Sequence, residues 1–370
     1  MRKVEYPIGT NYVQDYLNIF QNKIGDMRKK WGALQRTYPT ELGHIFTDVN
    51  DILIADFSDL VKWYIQFEKL PYATRIVLNK QFKTIFDYET WSADIAEFFK
   101  NPLEGFQFTS CHYCDMAYIN VYEVNPEAYG LYILNNTPAD ELKIKLRTKS
   151  DISVAEVMKH QYKSKAEFEK VASRLRWKPG KFDRMFSPNN KYKQHFDLDH
   201  VLPKSRFELV GLSLFNFVPS CQICNQNLKG TRVLGNKGIP KEKLSPTSSL
   251  FDFDNKVEFH VLPKPGVKPG RLRPTLHPQD YDLQLDAIDP DYEDFIQLFK
   301  LRERYQFHKK VALHWQEMKT KYSDARILMM EASLKHRSFS FKRIKSDIFQ
   351  SDLYKKGYMS FKKLRDDMLK

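Results

Sequence analysis

The sequence has few of the features that mark secreted, membrane-spanning or fibrous proteins. It has only four cysteines in 370 residues, too few for the disulfide framework of a cysteine-rich secreted domain. No stretch approaches the roughly 20 apolar residues of a membrane span, and the opening MRKVEYPIGTNYVQDY has no apolar core of signal-peptide length. Internal repeats and low-complexity segments are also missing. We therefore expect a cytoplasmic protein with no membrane partner.

What the sequence does have is apolar, aromatic and positively charged residues. Hydrophobic residues make up 42% of the chain and aromatic residues 14%, which is enough for a substantial core. The 59 lysines and arginines outnumber the 46 acidic residues, giving a formal net charge of +13. A positive surface attracts phosphates and releases their counterions, so the charge favours a nucleic-acid partner.

Apolar periodicity divides the chain into three regions. We predict a helical N-terminal region over residues 1–105 and a helical C-terminal region over residues 276–370, because apolar residues recur in both at steps of three and four. Residues 106–275 lie between them and contain all four cysteines. We expect this middle region to be a separate domain.

The middle region has its own subdivisions. Residues 106–136 alternate and are rich in aromatic residues, which predicts short strands around a cysteine turn. Residues 137–190 are charged and helical in pattern and look like an insertion. Residues 233–275 are rich in Pro, Gly and Lys, which is typical of a loop.

The four cysteines occur as two C-x-x-C pairs, Cys111 with Cys114 in CHYC and Cys221 with Cys224 in CQIC. Two such turns supply four thiolates to one tetrahedral ion, which predicts a structural zinc site with no open position. The pairs lie much further apart than the roughly 15 to 20 residues of a zinc ribbon, but loops lengthen at small entropic cost. A redox C-x-x-C would explain one pair and leave the other without a role. We expect His112 to face outward and not to bind the ion.

Aspartate, histidine and asparagine residues occur in the sequence just before and just after the second cysteine pair. FDLDHVLPKS, residues 196–205, reads as a strand that ends in a loop, FNFVPSC as a second strand, and CNQNLKG as the first turn of a helix. This order would bring together Asp199, His200, Asn216 and Asn225. A carboxylate and an amide oxygen suit Mg²⁺ or Mn²⁺, so Asp199 and Asn225 are candidate ligands. A neutral His200 could accept a proton from water, and Asn216 could hold that histidine by hydrogen bonds.

Other side chains near these motifs extend the candidate site. Asn227, Asp197 and His195 are alternates that could touch the metal or the substrate from outside. The cations expected to contact phosphate are Lys204, Arg206, Lys229 and Arg232.

At these residues the chain resembles the HNH nucleases of the ββα-metal class. The resemblance rests on DHVLPKS, on the asparagine in FNFVPSC and on CQICN. It implies an α+β fold with a ββα-metal core and a four-cysteine zinc site, flanked by helical regions, and it implies hydrolysis of DNA. By the same resemblance Asp199 and Asn225 bind the catalytic ion, His200 is the general base and Asn216 braces the histidine loop. The family spacing Asn-x-x-Lys is one residue longer here, which keeps Asn227 as an alternative ligand.

A fainter resemblance links the aromatic CHYCDMAYIN and the stretch FKLRERYQFHKKV to larger HNH proteins encoded beside ATPases in bacterial anti-phage systems. It implies an antiviral nuclease with an ATPase partner, without which the chain would be silent. Two alternatives stay open. One is a nuclease of the same chemistry that cuts RNA, such as tRNA, and the other is a zinc-stabilised nucleic-acid-binding module without catalysis.

Overall fold

The structure, a computed structural model, combines many helices with small antiparallel sheets and belongs to the α+β class. It describes residues 1–7, 11–100, 108–178, 182, 185–186, 192–236, 238–267, 278–334, 339–355 and 359–370. Among these residues, no helix combines the length and the apolar character needed to cross a membrane. The chain divides into two compact units, one formed by residues 1–120 with 195–370 and the other by residues 121–194.

Helices fill the start of the first unit, where apolar periodicity predicted them. Trp31, Phe82 and Phe86 pack together in their shared core. Asp48 and Asp56 cap two of these helices by accepting hydrogen bonds from backbone N–H groups of the first turn. The helices are α1 (Tyr12–Asn18), α2 (Ile24–Thr37), α3 (Pro39–Leu42), α4 (Val49–Leu53), α5 (Phe57–Glu68), α6 (Tyr72–Ile85) and α7 (Tyr88–Lys100).

The second unit has its own core, in which Phe168 packs against Phe182 and Phe186. It starts before the predicted insertion at 137. Short strands were expected up to residue 136, but Asn125 caps a helix there, and Pro126 fits the first helical position. Its elements are β1 (Val121–Glu123), α8 (Pro126–Asn136), α9 (Ala139–Lys145), α10 (Asp151–Met158), α11 (Lys165–Arg174) and β2 (Tyr192–Gln194), with β1 antiparallel to β2.

The first unit resumes with a strand pair followed by a helical turn. Strand β3 (Asp197–His200) runs antiparallel to β4 (Phe217–Ser220), with His200 opposite Phe217. Short 3₁₀ turns at Glu208–Val210 and Leu214–Asn216 lie in the connection. A π-helix, Ile223–Lys229, comes three residues after β4. The strand, loop, strand and helix occur in the order that the sequence predicted.

The segment that was expected to be a loop is in large part ordered secondary structure. Strand β7 (Val257–Pro263) pairs with β8 (Tyr281–Ala287) over seven residues. Residues 268–275 of the predicted loop lie outside the described residues, and β8 lies in the C-terminal region that was predicted to be helical. The remaining elements between β4 and β8 are β5 (Gly235–Asn236), β6 (Ile239–Pro240), a 3₁₀ turn (Glu242–Leu244), α12 (Phe253–Lys256) and a 3₁₀ turn (Pro278–Asp280).

Helices close the first unit, and several of them reach back to the cysteines. The ring of Phe299, between α13 and α14, stacks on the Tyr113 ring at 4.4 Å. The Tyr305 hydroxyl donates a 2.8 Å hydrogen bond to the carbonyl of Cys114. The helices are α13 (Asp291–Leu298), α14 (Leu301–Gln306), α15 (Lys309–Lys321), α16 (Asp324–Ser333), α17 (Phe341–Ile348), α18 (Ser351–Lys355) and α19 (Lys362–Leu369).

Candidate active site

The four cysteines form one buried cluster. Their sulfur atoms all lie within 4.8 Å of one another, and none is in a disulfide. Four thiolates around a zinc ion at about 2.3 Å lie about 3.8 Å apart, so the cluster has the ligand type and spacing for that ion. The cluster could hold a metal such as zinc, and it would tie the 111–114 turn to the 221–224 turn.

Groups outside the C-x-x-C turns adjust the charge of the cluster. The Arg304 guanidinium on α14 lies 3.3 Å from the sulfur of Cys224. Hydrogen bonds from the other thiols, Cys111 first, together with the positive charge of Arg304, lower the pKa of the Cys114 thiol. A thiolate is the form that binds metal, and the charge of Arg304 favours that form, whereas burial raises the pKa of the Cys111 thiol and opposes it. No spacing in the sequence linked Arg304 to the cysteines.

His112 is not where the sequence placed it. Its side chain is buried instead of facing outward, and Nδ1 lies 2.9 Å from the carbonyl oxygen of Arg2. Burial lowers its pKa to about 4. The N-terminal segment accounts for the difference, because Arg2 bonds to the ring through its carbonyl and to the backbone carbonyl of His112 through its N–H, at 3.0 Å. The candidate metal ligands that cluster here are the four cysteines, and His112 is not among them, as predicted.

Asn216 holds the loop between β3 and β4 closed. Its side-chain oxygen accepts a 2.8 Å hydrogen bond from the N–H of Leu202. Its side-chain nitrogen donates to the carbonyls of Leu202 and Val210, each at 3.0 Å. The residue is fully buried, so these three bonds satisfy most of what its amide can make. This placement fixes the chain that leaves His200.

Asp199 is buried and lies between a phenol and an ammonium group. The Tyr113 hydroxyl donates a 2.5 Å hydrogen bond to Oδ2, and Lys229 Nζ lies 3.0 Å from the same oxygen. Burial raises the pKa of the Asp199 carboxyl, and the charge of Lys229 opposes that rise. Tyr113 was not predicted to be part of the site, although it lies inside the CHYC turn.

Lys229 occupies a different position from the one expected of a phosphate contact. Its side chain has no exposed surface, and Nζ also donates a 2.7 Å bond to the carbonyl of His200. Its charge is therefore used within the protein. Lys229 is the last residue of the π-helix, and its side chain is directed toward β3 instead of toward solvent.

Asn225 meets the other aspartate of the strand. Its Nδ2 lies 3.2 Å from Oδ2 of Asp197, and Gln226 makes the same contact at the same distance. Asn227 is exposed and makes no hydrogen bond through its side chain to any described residue. The extra residue before Lys229 is absorbed by the wider π turn, in which Gly230 N–H bonds to the carbonyl of Asn225 at 2.7 Å.

The side chain of His200 lies on the face of β3 opposite to that of Asp199, because successive side chains of a strand point to alternate faces. Its Nε2 is 2.9 Å from the carbonyl of Gly211. A carbonyl can only accept, so Nε2 carries the proton and Nδ1 keeps the lone pair. The rings of Tyr88 and Phe217 lie 4.6 Å and 4.8 Å from the imidazole. Burial lowers the pKa of His200 to about 3, so the ring is neutral at pH 7.

The remaining predicted residues lie at the surface around this strand pair. Lys204 forms an ion pair with Glu89 and lies 4.6 Å above the Tyr88 ring. Arg206 and Arg232 are exposed. His195 is exposed just before β3, and its backbone N–H bonds to the carbonyl of Asn120 at 2.9 Å.

A divalent ion fits the donor types here but not the arrangement as it stands. Asp199 and Asn225 offer the oxygen ligands that Mg²⁺ and Mn²⁺ prefer. The Asp199 carboxylate is held by Lys229 and Tyr113, however, while Asn225 contacts Asp197. An ion at Asp199 would therefore compete with the Lys229 ammonium for the carboxylate.

In comparisons with known proteins, no family model, no curated protein and no solved structure matches this chain.

Proposed function

We propose that the chain is a metal-dependent endonuclease of the HNH type that hydrolyses phosphodiester bonds of DNA. One observation carries the proposal. Asp199 and His200 end a strand whose partner strand begins next to Asn216, and a helical turn with Asn225 follows directly, against a four-cysteine cluster. These residue types in this order suit the hydrolysis of a phosphodiester.

In the proposed mechanism, His200 is the general base. Nδ1 takes a proton from the attacking water, while the carbonyl of Gly211 holds the ring through Nε2. Asn216 keeps the loop in place during this step. When bound, Mg²⁺ or Mn²⁺ supplies positive charge for the leaving oxygen. Zinc held by the four cysteines would have no ligand position free for substrate or water, so its role would be structural.

The test is cleavage of a supercoiled plasmid in Mg²⁺ or Mn²⁺ by the wild type and by His200→Ala, with zinc measured in both samples. We expect nicked or linear plasmid from the wild type alone, and one zinc per chain in both. Equal cleavage by the two proteins would overturn the proposal. A parallel incubation with total RNA separates DNA from RNA substrates.

A second candidate is a zinc-stabilised nucleic-acid-binding module without catalysis. The buried Lys229–Asp199 ion pair favours it, because it occupies the carboxylate that an ion would need. Nucleic-acid binding by the wild type, without cleavage in any divalent ion, would support this candidate. An ATPase partner belongs to the first proposal as the activator of a silent nuclease, and cleavage only after that partner is added would distinguish the two.

A further inference from the structure

Three cations from separate segments line one open cleft in the first unit. Arg206 comes from the β3–β4 loop, Arg232 from the chain after the π-helix, and Lys300 from the junction of α13 and α14. The cleft has a volume of about 460 Å³. Lys300 was not singled out by the sequence. Segments that are far apart in the chain therefore bring positive charge to the same place.

The protein neutralises only part of the positive charge of this cleft. Among the described residues, none of the three cations forms an ion pair, and Asp294 is the acidic residue in the lining. Asp294 itself lies 3.4 Å from Lys241. The cleft therefore has a surplus of positive charge and favours a polyanion.

The lining indicates which part of a polyanion the cleft would bind. No aromatic ring is among the described side chains that line it, so it offers no surface on which unstacked bases could stack. Gly238, at the turn between β5 and β6, leaves open space where a side chain would otherwise stand. Backbone phosphates can approach arginine, lysine and bare main chain closely, which favours duplex backbone over single-stranded bases.

The cleft is also tied to the candidate active site. Arg206 lies in the loop that Asn216 closes, and Arg232 is three residues beyond Lys229 in sequence. Lys300 follows Phe299, whose ring stacks on Tyr113, and Tyr113 bonds to Asp199. Lys300 has a left-handed backbone with φ of 51°. Few residues other than glycine adopt this conformation.

We propose that this cleft binds the phosphodiester backbone of duplex DNA, with Arg206, Arg232 and Lys300 contacting phosphates next to the bond that is cut. The proposal rests on the function proposed above, because the cleft would position the DNA for His200. Binding can nevertheless be measured separately from cleavage.

The test is fluorescence-anisotropy titration of a labelled DNA duplex with the full chain carrying His200→Ala, which removes cleavage. Lys300→Gln and Arg232→Gln are each added to this background. Lys29→Gln, an exposed lysine on α2 without an ion pair to any described residue, is the matched control. Glutamine at 300 leaves the left-handed backbone cost unchanged, so the lost charge is what is measured.

Each phosphate contact adds about 0.9 to the slope of log affinity against log salt concentration. When salt rises from about 50 to about 200 mM, the affinity of every protein falls. For a variant that lacks one phosphate contact, this fall should be smaller than that of its parent by a factor of about 3.5. We expect this for Lys300→Gln and Arg232→Gln, with weaker binding at low salt, and not for Lys29→Gln. Zinc content and melting temperature should match the parent.

Slopes equal to that of Lys29→Gln would overturn the inference, even if the wild type cuts DNA. The same titrations are made with a labelled single-stranded RNA. If Lys300→Gln and Arg232→Gln weaken binding to the RNA but not to the duplex, the assignment to duplex DNA is overturned. Reduced slopes in a protein that never cleaves would support the cleft and count against the nuclease. The two proposals therefore fail in different ways.

Discussion

At the scale of single residues, Tyr113 makes the closest link between the cysteine cluster and Asp199. Its hydroxyl donates to the buried carboxylate, and its ring stacks on Phe299. Sequence reasoning found Asp199 and both cysteines of the turn, because residue type and spacing reveal them. It missed the phenol, because a hydrogen bond between residues 113 and 199 depends on the folded geometry.

Tyr113→Phe should separate this bond from the packing of the ring. A hydrogen bond to a charged group contributes about 1.5–3 kcal/mol, so we expect the free energy of unfolding to fall by about that amount. Zinc content should not change, and plasmid cleavage should slow. Urea denaturation and metal analysis check these outcomes.

Tyr281→Phe is the matched control for this prediction. The Tyr281 hydroxyl is buried without a hydrogen-bond partner in the described part of the chain. Its removal should leave the free energy of unfolding unchanged or slightly higher. An equal loss in both variants would show that the Tyr113–Asp199 bond contributes nothing specific.

Asn216 should tolerate even an isosteric change poorly. In Asn216→Asp the side chain can no longer donate to the carbonyls of Leu202 and Val210. Two lost bonds of about 1 kcal/mol each and the burial of a carboxylate near carbonyl oxygens should lower the free energy of unfolding by about 3 kcal/mol. Denaturation in urea at pH 7 measures the loss.

An exposed asparagine provides the comparison. Asn136 at the end of α8 also donates to a carbonyl, that of Tyr132, at 2.9 Å. Asn136→Asp should change the free energy of unfolding by no more than about 0.5 kcal/mol. If Asn216→Asp changes it as little, the loop is held by other contacts.

At the scale of secondary-structure elements, the strand pair and a helical turn after it were predicted, whereas the π form of that turn and the β7–β8 hairpin were not. VEFHVLP and YDLQLDA do alternate, but the Pro- and Gly-rich stretch between them dominated the prediction of a loop. Their pairing needs partners separated by a long connection, which local composition does not reveal. The burial of Lys229 was missed for a related reason, since it depends on how the π-helix lies against β3.

Helix α14 supports the cysteine cluster through Arg304. Removing a positive charge beside the thiolates should weaken metal binding, and partners of this kind typically change affinity by about 10- to 100-fold. We expect Arg304→Gln to weaken zinc binding by about tenfold. Competition with a coloured zinc chelator measures the change.

Arg302→Gln on the same helix is the control, because the Arg302 side chain pairs with Glu293. Its zinc affinity should equal that of the wild type. Equal weakening in both variants would mean that α14 acts through its fold and not through the charge of Arg304.

At the scale of the whole molecule, the unit formed by residues 121–194 is an insertion in a chain that closes without it. The N–H of His195 bonds to the carbonyl of Asn120 at 2.9 Å, so the two ends of the first unit already meet. The sequence indicated an inserted helical segment, but charge and periodicity could not locate its ends, because β1 and β2 are only three residues each.

Replacement of residues 121–194 by Asn-Gly should therefore preserve the first unit. A two-residue turn of this type joins antiparallel strands. We expect one zinc per chain and a single cooperative thermal transition, measured by metal analysis and calorimetry. Loss of zinc or aggregation of the shortened chain would show that the insertion is needed for folding. If the shortened chain is intact, its cleavage of plasmid and of total RNA can be compared with that of the full chain. A changed ratio would show that the insertion contributes to substrate choice.

The position of Tyr113 between two cysteines has a consequence for oxidative stress. Peroxide that reaches the buried Cys111 or Cys114 would convert a thiolate that could hold a metal into sulfenic acid or a disulfide. The turn would then lose its anchor, and the phenol would move with it. Damage at sulfur would thus reach the Asp199 carboxylate without any reagent touching it, and reductant with fresh zinc would reverse the effect.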